Sequence, residues 1–139
     1  MRKTVMLGLV ISVLAMYGGC GRSTEKPIIA FVGPPSNSPK NLRFAFEIST
    51  DRLQSLKRGA HNLRKGVTRD TVRAILGDPS REDLSSTKAK PNEINGYLLF
   101  YDVRIVEKGT PNSFDQQLVL NFDRMGGLEQ IVSTVPEIK

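Results

Sequence analysis

Apolar and polar residues alternate most cleanly between positions 97 and 106. Tyr97, Leu99, Tyr101, Val103 and Ile105 fall on one side of an extended chain, and Leu98, Phe100, Asp102, Arg104 and Val106 on the other. A period of two over this length predicts a strand with one continuous apolar face and a second face that is apolar at its start and mixed further on. The same period returns in Phe114, Leu118, Leu120 and Phe122 against Asp115, Gln117, Asn121 and Asp123. The turn-forming stretch 107–113, EKGTPNS, lies between the two runs, so they predict an antiparallel hairpin. A double glycine at 126–127 turns the chain again into a third strand over 128–135, which Pro136 ends. Upstream, Leu42, Phe44, Phe46 and Ile48 alternate with Arg43, Ala45 and Glu47, which predicts a short strand or a lead into the helix that follows.

Two stretches carry the helical period instead. Leu53, Leu56, Ala60 and Leu63 recur at threes and fours, so 51–64 reads as an amphipathic helix, started near Thr50 and Asp51 and weakened at Gly59. The stretch 66–79, GVTRDTVRAILGDP, specifies a shorter helix with both ends marked. Thr68 caps the first turn, Asp70 places negative charge among its free N–H groups, and Val67 stands five residues before Val72 as a hydrophobic staple. Gly77 supplies the left-handed residue that stops the helix, and Pro79 forbids its resumption. The interval 80–96, SREDLSSTKAKPNEING, predicts a short strand or loop followed by a wide turn ending at Asn95 and Gly96. The predicted core is Leu53, Leu56, Val72, Ile75, Leu76, Leu99, Tyr101, Val103, Leu118, Leu120, Phe122 and Ile131.

The amino-terminal 41 residues follow neither period. Residues 1–19 place Arg2 and Lys3 before an apolar run from Val5 to Met16, a pattern of a secretory signal and short for a membrane span. Cys20 is the only cysteine and follows Gly18 and Gly19, where such a signal is cut. The arrangement resembles the lipobox of bacterial lipoproteins, in which the thiol is acylated before cleavage, although Tyr17 stands where that motif usually has an aliphatic residue. The other readings are an ordinary exported protein with a free thiol and a retained membrane helix. Residues 20–41, rich in Gly, Ser, Pro and Lys, read as a lipidated linker, with an apolar island at 28–32 able to dock as an edge strand, ahead of a domain at 42–139. Gly21, in place of Asp after the cysteine, leans the resemblance toward the outer membrane, facing the periplasm.

Composition adjusts this picture only slightly. With 39% apolar residues in 139, the chain can bury one core, and the absence of tryptophan leaves that core to Leu, Ile, Val and six Phe. The formal charge of +6 is unevenly spread: residues 40–77 carry nine Lys or Arg against three acids, and 78–139 carry seven against ten. Arg52, Lys57, Arg58, Arg64 and Lys65 are therefore candidate contacts for a protein partner or an anionic lipid, with a solvated helix face as the plainer reading. No aromatic stacking platform accompanies them, which argues against nucleic acid.

The chain shows no GxSxG, Walker loop, HExxH or CxxC, so no catalytic residues are assigned. His61 is the sole histidine and has no second ligand of its kind, so neither a metal site nor a cofactor is expected.

Three stretches together, KGVTRDTVRAILGDP, GYLLFYDV and LVLNFDRMGGLEQIV, resemble the SmpA/OmlA (BamE-like) domain of bacterial lipoproteins. The resemblance covers most of 53–135. It implies an α+β fold, two helices packed on a three-stranded antiparallel sheet, as also seen in β-lactamase-inhibitor-like proteins. It further implies a non-catalytic protein-binding module anchored at Cys20 in the cell envelope, with β-barrel assembly components among the possible partners. The alternative reading is a periplasmic inhibitor or sensor that binds a hydrolase or a cell-wall fragment. The linker and the polar interval before Gly96 are longer than the family pattern.

Overall fold

A computed structural model describes residues 28–139. In order, the chain forms strands β1 (Ile29–Phe31) and β2 (Phe46–Glu47), helices α1 (Thr50–Asn62) and α2 (Arg69–Leu76), and strands β3 (Arg81–Thr87), β4 (Lys90–Ile105), β5 (Gln116–Asp123) and β6 (Leu128–Ser133). The strands make one sheet in the order β1-β6-β5-β4-β2, with β3 also on β4, and every pairing is antiparallel except β1 with β6.

Both helices end where the local chemistry dictates. In α2 the Thr68 hydroxyl accepts from the Thr71 amide at 3.3 Å, Gly77 adopts φ +80°, and its amide donates to the Arg73 carbonyl at 2.8 Å. In α1 the capping residue is Ser49, whose hydroxyl accepts from the Arg52 amide, one position before the predicted start. Gly59, which weakens α1 by propensity, has a packing reason. A Cβ there would stand 2.5 Å from Leu76 Cδ2 and 3.2 Å from Ile75 Cγ2, so the glycine lets α2 cross close against α1.

One face of the sheet lies under the helices. Leu53, Leu56, Ala60, Leu63, Val72 and Leu76 share a single core with Leu99, Tyr101, Val103, Leu118, Leu120, Phe122, Leu128 and Ile131. Each such Leu or Ile contributes about 1.5–3 kcal/mol on burial. The chain after β6 closes the same core, with Val135 and Ile138 both at 0% exposure. Ile75 departs from the predicted core, at 40% exposed. Val72 and Leu76, one turn apart, take the inward line of this eight-residue helix, and Ile75 is turned aside toward Gly59.

The α+β class stands, but the sheet has six strands where the family resemblance implies three. The main correction lies in the polar interval. It forms a hairpin that turns at Lys88 and Ala89, and Asn95 and Gly96 lie inside β4. Residues 81–84 and 86–94 are exposed, so this hairpin has no buried face to impose an alternating pattern. The strand predicted at 42–48 shrinks to Phe46–Glu47, flanked by bonds from the Ala45 amide to Ile105 and from the Ile48 amide to Val103. The apolar island does dock as an edge strand, β1, parallel to β6.

Candidate functional site

The five candidate basic residues do not converge. Arg52 is spent inside the fold, since its Nη2 donates to the Leu76 carbonyl at 2.5 Å and its guanidinium covers Gly77. Tyr101 completes this clasp on the end of α2, its hydroxyl donating to the Gly77 carbonyl at 2.9 Å. Burial pushes the Tyr101 phenol up to about 12. Arg64 folds back on its own helix, Nη1 donating to the carbonyls of His61 and Leu63, each at 3.0 Å. Lys57 is half-buried and its charge helps lower the Glu137 carboxyl, while Arg58 is exposed on α1. Lys65 lies beyond the far end of α1, whose stretch from Arg52 to Asn62 alone spans about 15 Å at helical rise. Charge density along a sequence cannot show this dispersal, because each guanidinium is drawn to whichever unpaired carbonyl the fold brings within reach. Cys20 and the signal segment 1–19 lie outside the described residues.

The face of the sheet away from the helices has its own organisation. In register across four strands run Ala30, Val132, Val119 and Phe100, with the Arg81 guanidinium 3.9 Å above the Phe100 ring. The next row is largely polar, with Gln130, Asn121 and Asp83 interrupted by Leu98. Beside it opens a cleft of about 610 Å³ lined by Ile28 and Ala30 from one edge of the sheet, Asn121, Glu129 and Gln130 from its middle, and Ser85 and Asn95 from β3 and β4. Residues from opposite edges share this cavity, so the sheet is curled around it. Three carboxamides and a hydroxyl, each able to donate and accept, suit it to the paired N–H and C=O groups of a polypeptide. The sequence signal was present only as polar residues on the second face of the strands, which reads equally as solvated surface.

The two ends of the sheet differ in character. At one end Arg104 ties three segments, its Nε 2.6 Å from Glu47, its Nη2 2.8 Å from Glu137 and its Nη1 2.6 Å from the Gln116 amide oxygen. The Arg104 guanidinium holds the Glu137 carboxyl below the usual carboxylate range. Burial raises Asp102 nearby, partly offset by Arg81. A groove of about 410 Å³ lies along this end between the proline-bearing segment 32–44 and Phe114, Thr134 and Pro136.

At the other end the hairpin of β3 and β4 projects as an arm past Gly96, the last β4 residue paired with β5. Beside its base sit the turn at 124–127, where Met125 is 93% exposed, and the loop between the helices. That loop is stitched to the turn by bonds from the Gly66 amide to Leu128 and from the Leu128 amide to Val67. Asp123 organises the turn by accepting from the Met125 and Gly127 amides at 2.8 and 2.9 Å.

His61 lies with Nδ1 2.8 Å from the Lys57 carbonyl oxygen and Nε2 3.2 Å from the main-chain oxygen of Lys139, an arrangement that pins the chain end to α1. Among the described residues no three His, Cys, Asp or Glu are grouped to hold a metal ion, and no helix is long and apolar enough to cross a membrane.

No family model matches the chain, and no curated protein matches it. Among solved structures, a crystal structure assigned to the osmotically inducible lipoprotein OsmE is similar with a TM-score of 0.42 and 16% sequence identity, over 63% of this chain and 86% of that one. The SmpA/OmlA resemblance therefore rests on its sequence motifs.

Proposed function

We propose that this chain is a lipid-anchored, non-catalytic protein of the bacterial envelope, held at Cys20 and binding another protein through the open face of its sheet. The observation that carries the reading is the curled face with its cleft, where Asn95, Asn121, Gln130 and Ser85 present donors and acceptors beside the half-buried apolar row of Val119 and Val132. Mixed apolar and carboxamide surface on a rigid sheet is suited to a polypeptide segment, with the apolar row supplying area and the amides register. The signal pattern before Cys20 supports delivery to the envelope, and components of the β-barrel assembly machinery are the first partners to test.

A photo-crosslinking residue placed at Asn121 in native membranes is expected to capture an envelope protein that the same residue at Arg58, on the helical side, does not. Equal capture at both positions, or none at Asn121, refutes the docking face. Capture of a periplasmic hydrolase at Asn121 turns the reading to an inhibitor, and recovery without any barrel-assembly component removes that partner.

A further inference from the structure

Resting on the anchoring of Cys20 proposed above, the geometry points to the arm and the turn at 124–127 as the end of the domain that rests on the phospholipid surface. The argument is one of length. Docking of β1 leaves eight peptide units between Cys20 and Ile28, which can span at most about 29 Å. The Ile28 carbonyl accepts from the Ile131 amide at 2.9 Å, and the row Gln130, Asn121, Leu98 sets this level on β4. From Leu98 the arm runs nine residues to Ala89, about 30 Å at strand rise. Ser85 and Asn95, at the base of the arm, line the same cleft as Ile28, so tether and arm leave from one side of the sheet. Because β1 runs parallel to β6 and in the same direction as β4, the chain enters β1 at the end of the sheet from which the arm and the turn at 124–127 project, and a bilayer met at that end is within the arm's length.

The chemistry of this end fits that neighbour. Met125 at 93%, Leu84 at 58% and Ile94 at 45% are, apart from Val32, the three most exposed large apolar side chains among the described residues. A flexible, polarizable Met at a turn tip suits shallow insertion at the boundary of headgroup and acyl chain. Lys65, Lys88 and Arg124 are exposed at the same end and form no ion pair among the described residues, whereas Glu93 is held by Lys90 at 2.9 Å and Asp123 by the turn amides, so that exposed Glu129 beside the turn offsets only part of this charge. On an anionic surface each cation strengthens partition by roughly fivefold.

The chain has no tryptophan, so Met125→Trp gives a single reporter, with Lys108→Trp at the opposite end as its counterpart. The chain purified from membranes is checked by intact mass and reconstituted into vesicles of phosphatidylcholine and phosphatidylglycerol, some carrying brominated acyl chains. Emission at position 125 is expected to shift to the blue and to lose intensity with brominated lipid, while position 108 stays unchanged. Hydrogen exchange of the unsubstituted chain is expected to slow in 86–95 when vesicles are present. If the mass shows no acyl chains, the anchoring reading fails by itself, and the Cys20 thiol coupled to a maleimide lipid tests the orientation alone. Unquenched emission at 125 on floated vesicles, quenching at 108 instead, or a shift at 125 only in native membranes, which would assign this end to a protein, each overturns the proposal.

Discussion

Replacing Gly96 by alanine tests the register on which the whole open face depends. Gly96 pairs with Asp123 on β5 and with Ser85 on β3, at the point where the arm leaves the sheet. A Cβ added there would stand 2.0 Å from the Phe122 carbonyl oxygen and 3.1 Å from its carbon. An unstrained contact between carbon and oxygen needs about 3.3 Å, so one backbone must move by roughly 1.3 Å. Neither side is the far end of a flexible side chain, and a movement of that size breaks ladder bonds whose donor–acceptor distance tolerates only a few tenths of an ångström. Overpacking costs about 1–3 kcal/mol, and one or two lost ladder bonds add about 0.5–1.5 kcal/mol each. The lower chain entropy of alanine returns about 0.5–1 kcal/mol. The net destabilisation falls between about 0.5 and 5.5 kcal/mol and centres near 3 kcal/mol, which lowers Tm by about 10 °C in a domain of this size. Thermal melts followed by far-ultraviolet circular dichroism, with urea titrations alongside, read this directly. Gly109→Ala is the control: Gly109 has φ +82° and nothing within 4 Å of an added Cβ, so its cost is conformational, about 1–2 kcal/mol. A Gly96→Ala chain that melts within 2 °C of its parent, by the scale of roughly 4 °C per kcal/mol, would show that Phe122 does not lie over Gly96 and would refute the pairing of β4 with β5.

Three further outcomes follow from the core and its edges. The folded Tyr101 phenol sits at about 12, above the ordinary value of 10.0, so the fold favours its neutral form. Stability is then complete below pH 10 and falls as pH rises from 10 toward 12, a loss that an absorbance titration with parallel melts should find and that Tyr101→Phe should remove. That same variant leaves the Gly77 carbonyl without its donor, at a cost of about 1–3 kcal/mol near neutral pH in urea unfolding. Glu137 lies below its ordinary value of 4.5, so its contribution is present above that value and is lost as pH falls beneath it; protection of the 135–139 amides, taken relative to the intrinsic exchange rate at each pH, should drop there in the parent and already be low in Arg104→Ala. Ile138→Ala empties a position at 0% exposure and should cost about 2–5 kcal/mol in urea unfolding, whereas a value near zero would mean that the chain end is not part of the core.

Sequence alone determined the elements whose instructions are local. The short helix carries its cap at Thr68, its stop at Gly77 and its inward pair Val72 and Leu76 within ten consecutive positions, and the strands around Leu99, Leu118 and Ile131 alternate because one of their faces is buried. Neighbours along the chain fix those features, so a linear pattern can report them.

Only the tertiary structure decided the rest. The arm has no buried side, and its composition therefore resembles that of a loop. Gly96 looks like half of a turn until the Phe122 carbonyl appears above it, and Arg52 looks like a surface cation until the Leu76 carbonyl captures it. β1 joins β6 across about a hundred residues of chain, and that pairing depends on a strand edge that exists only after the sheet has folded.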